Sequence, residues 1–123
     1  TKIYVKEIIK LIDSKLIKSC AHITGGGIKD NLSRIIPNGK CAKINLNKIK
    51  TKKVFSWLKE NKISDHEMLK TFNCGVGFII IIDKRNFKKI KKYFNNKYVP
   101  YIIGEIIKGK SRVLLDGKIN WQK

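Results

Sequence analysis

Apolar positions recur along the chain in distinct rhythms, and each rhythm predicts an element. Val5, Ile8, Ile9, Leu11, Ile12, Leu16 and Ile17 follow a 3.6-residue period, which predicts an amphipathic helix over Val5–Lys18. Ala21-His22-Ile23-Thr24 is short and apolar and runs into Gly25-Gly26-Gly27, the pattern of a strand ending in a glycine turn. Ile28–Ile36 predicts a short helix that must stop before Pro37. Cys41–Leu46 alternates, with Ala42, Ile44 and Leu46 against Lys43 and Asn45, and predicts a strand. Val54, Trp57 and Leu58 open another short helix. Ser64-Asp65-His66-Glu67 then forms a capping box, starting a helix over Asp65–Lys70. Asn73–Gly77 reads as a turn entering Phe78–Ile82, a continuous apolar run that predicts a fully buried strand. Asp83 is placed to cap a helix with Phe87, Ile90 and Phe94 on its inner face. Val99–Ile107 is extended but broken by Pro100 and Gly104, as in an edge strand or two pieces. Arg112–Leu115 and Lys118–Trp121 flank Asp116-Gly117, the signature of a hairpin. Helices and short strands mix without regular βαβ alternation, so the expected class is α+β.

Composition narrows this picture. With 123 residues and 42% hydrophobic content, the expectation is one domain over 1–123 with a packed core. The longest apolar run, Val76–Ile82, falls far short of the roughly 20 residues a membrane helix needs, so no membrane partner is expected. The chain opens on Thr1 without a signal-peptide pattern, and Met68 is its one methionine. A piece of a longer protein is therefore expected. Cys20, Cys41 and Cys74 stand at wide spacings that suit free thiols in a reducing compartment, and no zinc-type motif is present.

The formal charge of +19 invites a nucleic-acid reading, but 25 of the 28 basic residues are Lys, which lacks the bidentate fork of Arg. The lysines are spread over the whole chain. Ile, Lys and Asn together make 57 of 123 residues, as A/T-rich codon usage would produce. The dense cluster Lys84–Phe94 is read first as the solvated face of its helix, with an anionic partner as the alternative. No specific nucleic-acid site is expected.

The chemically richest segment is Thr24-Gly25-Gly26-Gly27. Glycines let backbone N–H groups converge on an anion, and the following helix points its N-terminus at the same place. A plain strand-to-helix turn explains the glycines equally well. The Walker lysine is missing, and Gly75-Val76-Gly77 lacks the third glycine and the helix of a dinucleotide fingerprint. His22 reads either as a buried core histidine or as a functional group beside the loop. His66-Glu67 is no metalloprotease start, because Lys70 stands where a second His is required.

Ala21–Pro37, with its Thr-Gly-Gly-Gly core, closely resembles a signature of aminoimidazole ribonucleotide synthetase, also called phosphoribosylformylglycinamidine cyclo-ligase. His66–Gly77 resembles a second signature of that family, and Thr1–Lys6 and Ile102–Ile106 resemble further segments in the same order. Only the family's C-terminal half is matched. Lys70 stands where the family has Arg, Asp30 where Glu is common and Ser33 where Pro is common. Lys70 would lose any bidentate contact.

The resemblance implies an α/β sandwich with a mixed, mainly antiparallel sheet, partly ferredoxin-like. It implies the C-terminal, substrate-binding domain of an ATP-dependent ligase of purine biosynthesis, which closes formylglycinamidine ribonucleotide to aminoimidazole ribonucleotide. ATP and Mg²⁺ would be held mainly by the N-terminal half. The implied partners are that half, the nucleotide substrate and a second copy in a cytoplasmic homodimer. The matched part alone is expected to be inactive. Site residues would be His22 in a proton-handling role, Thr24, Gly25, Gly26 and Gly27 at the substrate phosphate, Asn31 and Arg34 bracing the following helix or reaching the ligand, and Asn73, Gly75 and Gly77 as a neighbouring wall of the cleft, with no metal ligand. Glu67 would cap its own helix. The alternatives are a sister enzyme (formylglycinamidine ribonucleotide synthetase, selenophosphate synthetase or thiamine-phosphate kinase type) and a basic nucleic-acid-binding module.

Overall fold

A computed structural model describes residues 5–94 and 98–121. In chain order the elements are α1 (Val5–Asp13), β1 (Ser19–His22), α2 (Gly27–Ser33), β2 (Lys40–Asn45), α3 (Lys53–Glu60), α4 (Asp65–Thr71), β3 (Phe78–Ile81), α5 (Phe87–Lys91), β4 (Gly104–Lys108) and β5 (Val113–Asp116). The class is α+β. Two small sheets are present: β1 pairs with β3 antiparallel, and β2 lies between antiparallel β4 and parallel β5. The pairing is mixed and mainly antiparallel.

The β1–β3 sheet is a wall between two cores. Its register sets Cys20 opposite Ile80 and His22 opposite Phe78, with Ser19–Ile81 and Ala21–Ile79 alternating between them. Successive side chains on a strand point to opposite faces. Cys20, Phe78 and Ile80 accordingly pack with Ile8, Leu11, Leu16 and Ile90 under α1 and α5. Ala21, Ile79 and Ile81 face the larger core, which also holds Ile23, Ile28, Leu32, Ile44, Met68 and Val113.

Three expectations need correction. The first helix ends at Asp13 rather than Lys18. Lys15 takes a left-handed φ of 56°, Leu16 N–H reaches the Leu11 carbonyl, and Lys15 N–H reaches that of Ile12. This is a Schellman stop, sealed by the buried Leu11 and Leu16. The apolar period ran on because Leu16 and Ile17 return to the same core without helical backbone. The strand 78–81 is only half-buried, with Ile79 alone fully enclosed. The Asp116-Gly117 hairpin does not form: β5 pairs parallel with β2, and Gly117, at φ 75°, ends it. Lys118 N–H then donates to the Asn47 side chain, and Ile119 enters the core. The first four residues of the Thr1–Lys6 resemblance, and Gln122 and Lys123, lie outside the described residues.

Other expectations hold. Ser64 Oγ accepts from the Glu67 N–H at 3.1 Å and starts α4. The other half of the capping box does not form: the Glu67 carboxylate accepts from the Thr71 hydroxyl, one turn on, instead of reaching back to the Ser64 N–H. Asp83 accepts from the Arg85 N–H and guanidinium, which hold its carboxyl well below the usual range. Cys20, Cys41 and Cys74 are free thiols. No helix among the described residues is long and apolar enough to cross a membrane.

Candidate functional site

The two long motifs meet at one end of the β1–β3 sheet. Ile23 N–H donates to the Gly77 carbonyl at 3.0 Å, which extends the ladder one residue past β1. The segment leaving β1 (23–27) and the segment entering β3 (73–77) therefore emerge side by side. Behind them α2 packs so closely on α4 that a Cβ on Gly27 would overlap the Leu69 carbonyl oxygen. On the second segment the Asn73 side chain accepts from Gly75 N–H at 2.9 Å, and Val76 N–H closes the turn on the Asn73 carbonyl. Gly75 sits at φ 100°, and a Cβ there would press on the Lys50 carbonyl at 3.0 Å. Asn73, Gly75 and Gly77 thus shape this segment mainly through backbone.

The three glycines of the loop do different work. Gly25 has open space where a Cβ would be. Gly26, at φ 96°, caps α2 in a conformation that L side chains resist, and a Cβ there would touch an Asp30 oxygen at 2.5 Å. Gly27, at φ 73°, is the packing glycine, and its N–H closes the turn on the Thr24 carbonyl at 3.1 Å. The sequence reading offers all three N–H groups to an anion. Gly25 and Gly26 N–H donate to no acceptor among the described residues, whereas that of Gly27 is already engaged.

Asn31 is 6% exposed, the one buried polar side chain among the described residues. Its amide nitrogen donates to the Gly27 carbonyl at 2.7 Å and lies 3.3 Å from the carbonyls of Thr24 and Gly25. Its oxygen accepts from the Thr24 hydroxyl at 3.4 Å. Arg34 turns away and makes an exposed i,i+4 ion pair with Asp30 at 3.1 Å, which braces the outside of α2. His22 is exposed, with its ring stacked on Phe78 at a centroid distance of 6.0 Å, so the buried-core reading of this residue fails. Its side chain lies on the sheet face that α1 and α5 cover further along.

Residue patterns alone had no means of finding the Asp30 carboxylate beside Gly26, the Leu69 carbonyl under Gly27, or the carbonyl set around Asn31. Each depends on the loop's three-dimensional course. Cys74, inside the second motif, sits at φ 55° and is fully buried, with its thiol donating toward the Met68 carbonyl. Burial, with a smaller push from the charge on Asp65, raises that thiol to about 12. Among the described residues no group of three His, Cys, Asp or Glu side chains is gathered that could hold a metal ion. A separate concavity of about 340 Å³ lies on the α1–α5 side, lined by Lys6, Glu7, Lys10, Lys92 and Tyr93.

Comparison with known proteins bears on this geometry. Residues 1–116 match the family described as AIR synthase related protein, C-terminal domain. The chain is 42% identical over 92 residues to phosphoribosylformylglycinamidine cyclo-ligase of Methylobacillus flagellatus, covering 74% of this chain and 27% of that protein. It is 41% identical over 118 residues to the Carboxydothermus hydrogenoformans protein of the same name, covering 94% of this chain and 34% of that one. It is 42% identical over 111 residues to the trifunctional purine biosynthetic protein adenosine-3 of Chironomus tentans, covering 89% of this chain and 8% of that protein. The chain thus spans about a third or less of the length of these relatives.

Proposed function

The chain belongs to the AIR synthase related family as its C-terminal domain, and from that premise we propose that it is the substrate-binding domain of an ATP-dependent cyclo-ligase closing formylglycinamidine ribonucleotide to aminoimidazole ribonucleotide in cytoplasmic purine biosynthesis. The observation that carries this reading is the meeting of the two signature motifs at one sheet end, where Gly25 and Gly26 hold unengaged N–H groups beside the 73–77 turn. In this reading those two groups donate to the substrate's phosphate. The phosphate adds no side-chain requirement at Gly25, where a Cβ would meet open space. Thr24 lies on the same loop, and its hydroxyl, which donates to the Asn31 oxygen, reaches the phosphate only by turning its proton away from Asn31. His22, exposed and held by Phe78, takes or gives a proton near the reacting atoms. Asn73, Gly75 and Gly77 shape the adjoining wall.

ATP would supply the phosphoryl group that, with ADP released, turns the formyl oxygen into a leaving phosphate which the amidine nitrogen replaces as the imidazole closes. The glycine loop lacks a Walker lysine, and among the described residues no cluster of acidic side chains is gathered that suits ATP and Mg²⁺. We assign both to the region of the relatives outside the matched domain, together with the contacts of a homodimer. The domain alone is then inactive.

Titrating the chain with ribose 5-phosphate while following backbone amide shifts tests the assignment. The shifts are expected to centre on Gly25 and Gly26. Silent loop amides with a response confined to Lys6, Lys10 and Lys84–Lys92 would move the anion site to the basic concavity and overturn the reading.

A further inference from the structure

Resting on that reading, we propose that Asn31 is a positioning residue that never touches the substrate: its side-chain amide draws the Thr24, Gly25 and Gly27 carbonyls inward and thereby aims the Gly25 and Gly26 N–H groups out at the phosphate.

In a trans peptide the C=O and the N–H of the next residue point in opposite directions. The Thr24 and Gly25 carbonyls both lie 3.3 Å from the Asn31 amide nitrogen. The N–H groups of Gly25 and Gly26 must therefore face away from Asn31. The strongest contact, 2.7 Å to the Gly27 carbonyl, ties the amide to the first residue of α2, one turn back along the helix. An asparagine at this position reaches back over the turn before it, where the loop lies.

The chemistry requires an amide. Three carbonyl oxygens gather on one side of the site, and a carboxylate in the same place would add acceptors only. The amide supplies donors to those carbonyls, and its oxygen takes the Thr24 hydroxyl hydrogen. At 6% exposure, with all these partners inside the loop, the side chain has no face left for a ligand. This separates Asn31 from the residues that would contact phosphate.

Two measurements on the full chain decide the matter. The first needs no ligand: through-hydrogen-bond scalar coupling between the Asn31 side-chain nitrogen and the Gly27 carbonyl carbon, with slowed exchange of the side-chain amide protons. Absence of both in the wild-type chain overturns the proposal, even if every variant fails to fold. The second compares Asn31→Asp with Leu32→Ala, a core truncation on the same helix. Asn31→Asp should speed exchange at Gly25–Gly27 and weaken ribose 5-phosphate binding at least about tenfold, while amides of the β2–β4 ladder keep their shifts. Leu32→Ala should lower stability and keep the affinity. Equal loss of affinity in the two variants would make the Asn31 effect general loosening and sink the idea. A wild-type chain that shows the coupling but binds no phosphate removes the substrate reading and the aim at phosphate together, and leaves Asn31 as a loop brace alone.

Discussion

The two sides of the β1–β3 wall use their residues in opposite ways. On the larger-core side, side chains and glycines are spent on backbone geometry: Asn31 on three carbonyls, Asn73 on an N–H, Gly27 and Gly75 on close approach to other backbone. On the other side α1 and α5 seat Ile8, Leu11 and Ile90 and raise Lys6, Lys10, Lys88, Lys89, Lys91 and Lys92 into solvent. That side has a dense lysine face and a concavity, but among the described residues the side chains of those lysines make no hydrogen bonds that would fix them. On the other, the 23–27 and 73–77 segments carry no charged side chain and offer fixed donors. A flexible ammonium loses rotamer freedom on binding, whereas a backbone N–H already held in place loses little. Placement, rather than cation density, marks the candidate site. His22 joins the two regions, with its backbone in the motif and its ring on the face of the second core.

The largest effect that would sharpen this contrast is expected at Gly27. An alanine there meets the Leu69 carbonyl in a left-handed backbone, and the α2–α4 contact has to open. A loss of roughly 3 kcal/mol or more in urea unfolding is expected. Gly25→Ala, with open space around it, should stay within about 0.5 kcal/mol. Equal losses at both positions would mean that the loop is a turn without specialised glycines.

Thiol chemistry compares the regions in another way. Cys74 is buried and Cys20 is partly exposed on the α1–α5 face. Native alkylation should label Cys20 and spare Cys74. The raised Cys74 thiol also sets a sign. Its proton is retained in the folded chain up to about 12, while an unfolded cysteine loses it near 8.5. Stability from this group is whole below about pH 8.5 and falls as pH climbs from there toward 12. Cys74→Ala should flatten that part of the pH profile of unfolding. An unchanged slope would show that the thiol titrates freely.

How much of this was legible in the residues follows the same division. Local chemistry could be read where it acts over a few positions: the Ser64 cap, the alternation of β2 and the basic outer face of α5, although the α2 helix expected to run to Ile36 already ends at Ser33. The failures came where a distant partner decided the outcome. Asp116-Gly117 carries hairpin chemistry, yet β2 takes β5 in parallel and Asn47 captures the Lys118 N–H. Leu16 and Ile17 keep helical spacing, yet the Schellman stop bends them into the core. At the site, the Gly25-Gly26-Gly27 run announced a special backbone without saying which glycine serves packing and which faces solvent. Asn31 was legible as a polar residue on a helix, but its carbonyl partners were not.

A smaller effect is expected at Asp30, whose carboxylate sits beside Gly26 and is only partly offset by Arg34 at the surface. Asp30→Asn should tighten ribose 5-phosphate binding a few-fold, since an exposed charge acts through water. The gain should shrink with added salt. No change at low salt would place the phosphate away from Gly26.

The smallest effect is expected where the charge is greatest. Replacing Lys88, Lys89 and Lys92 with Gln removes cations from an exposed helix face on a chain of formal charge +19. None of the three is in an ion pair with an acidic side chain among the described residues. Unfolding free energy should therefore move by no more than about 0.5 kcal/mol, toward stability if at all, because like charges repel in the compact state. The ribose 5-phosphate response at Gly25 and Gly26 should be untouched. Weak binding to DNA or RNA should drop and lose part of its salt slope, as expected when non-specific phosphate contacts are removed. The comparison breaks if the wild-type chain binds a nucleic acid below micromolar at about 150 mM salt, tighter than the usual non-specific range, and the triple variant abolishes it. The basic face would then be a recognition surface in its own right. Lysines that only bathe in solvent would leave every readout except the weak salt-dependent one where it stood.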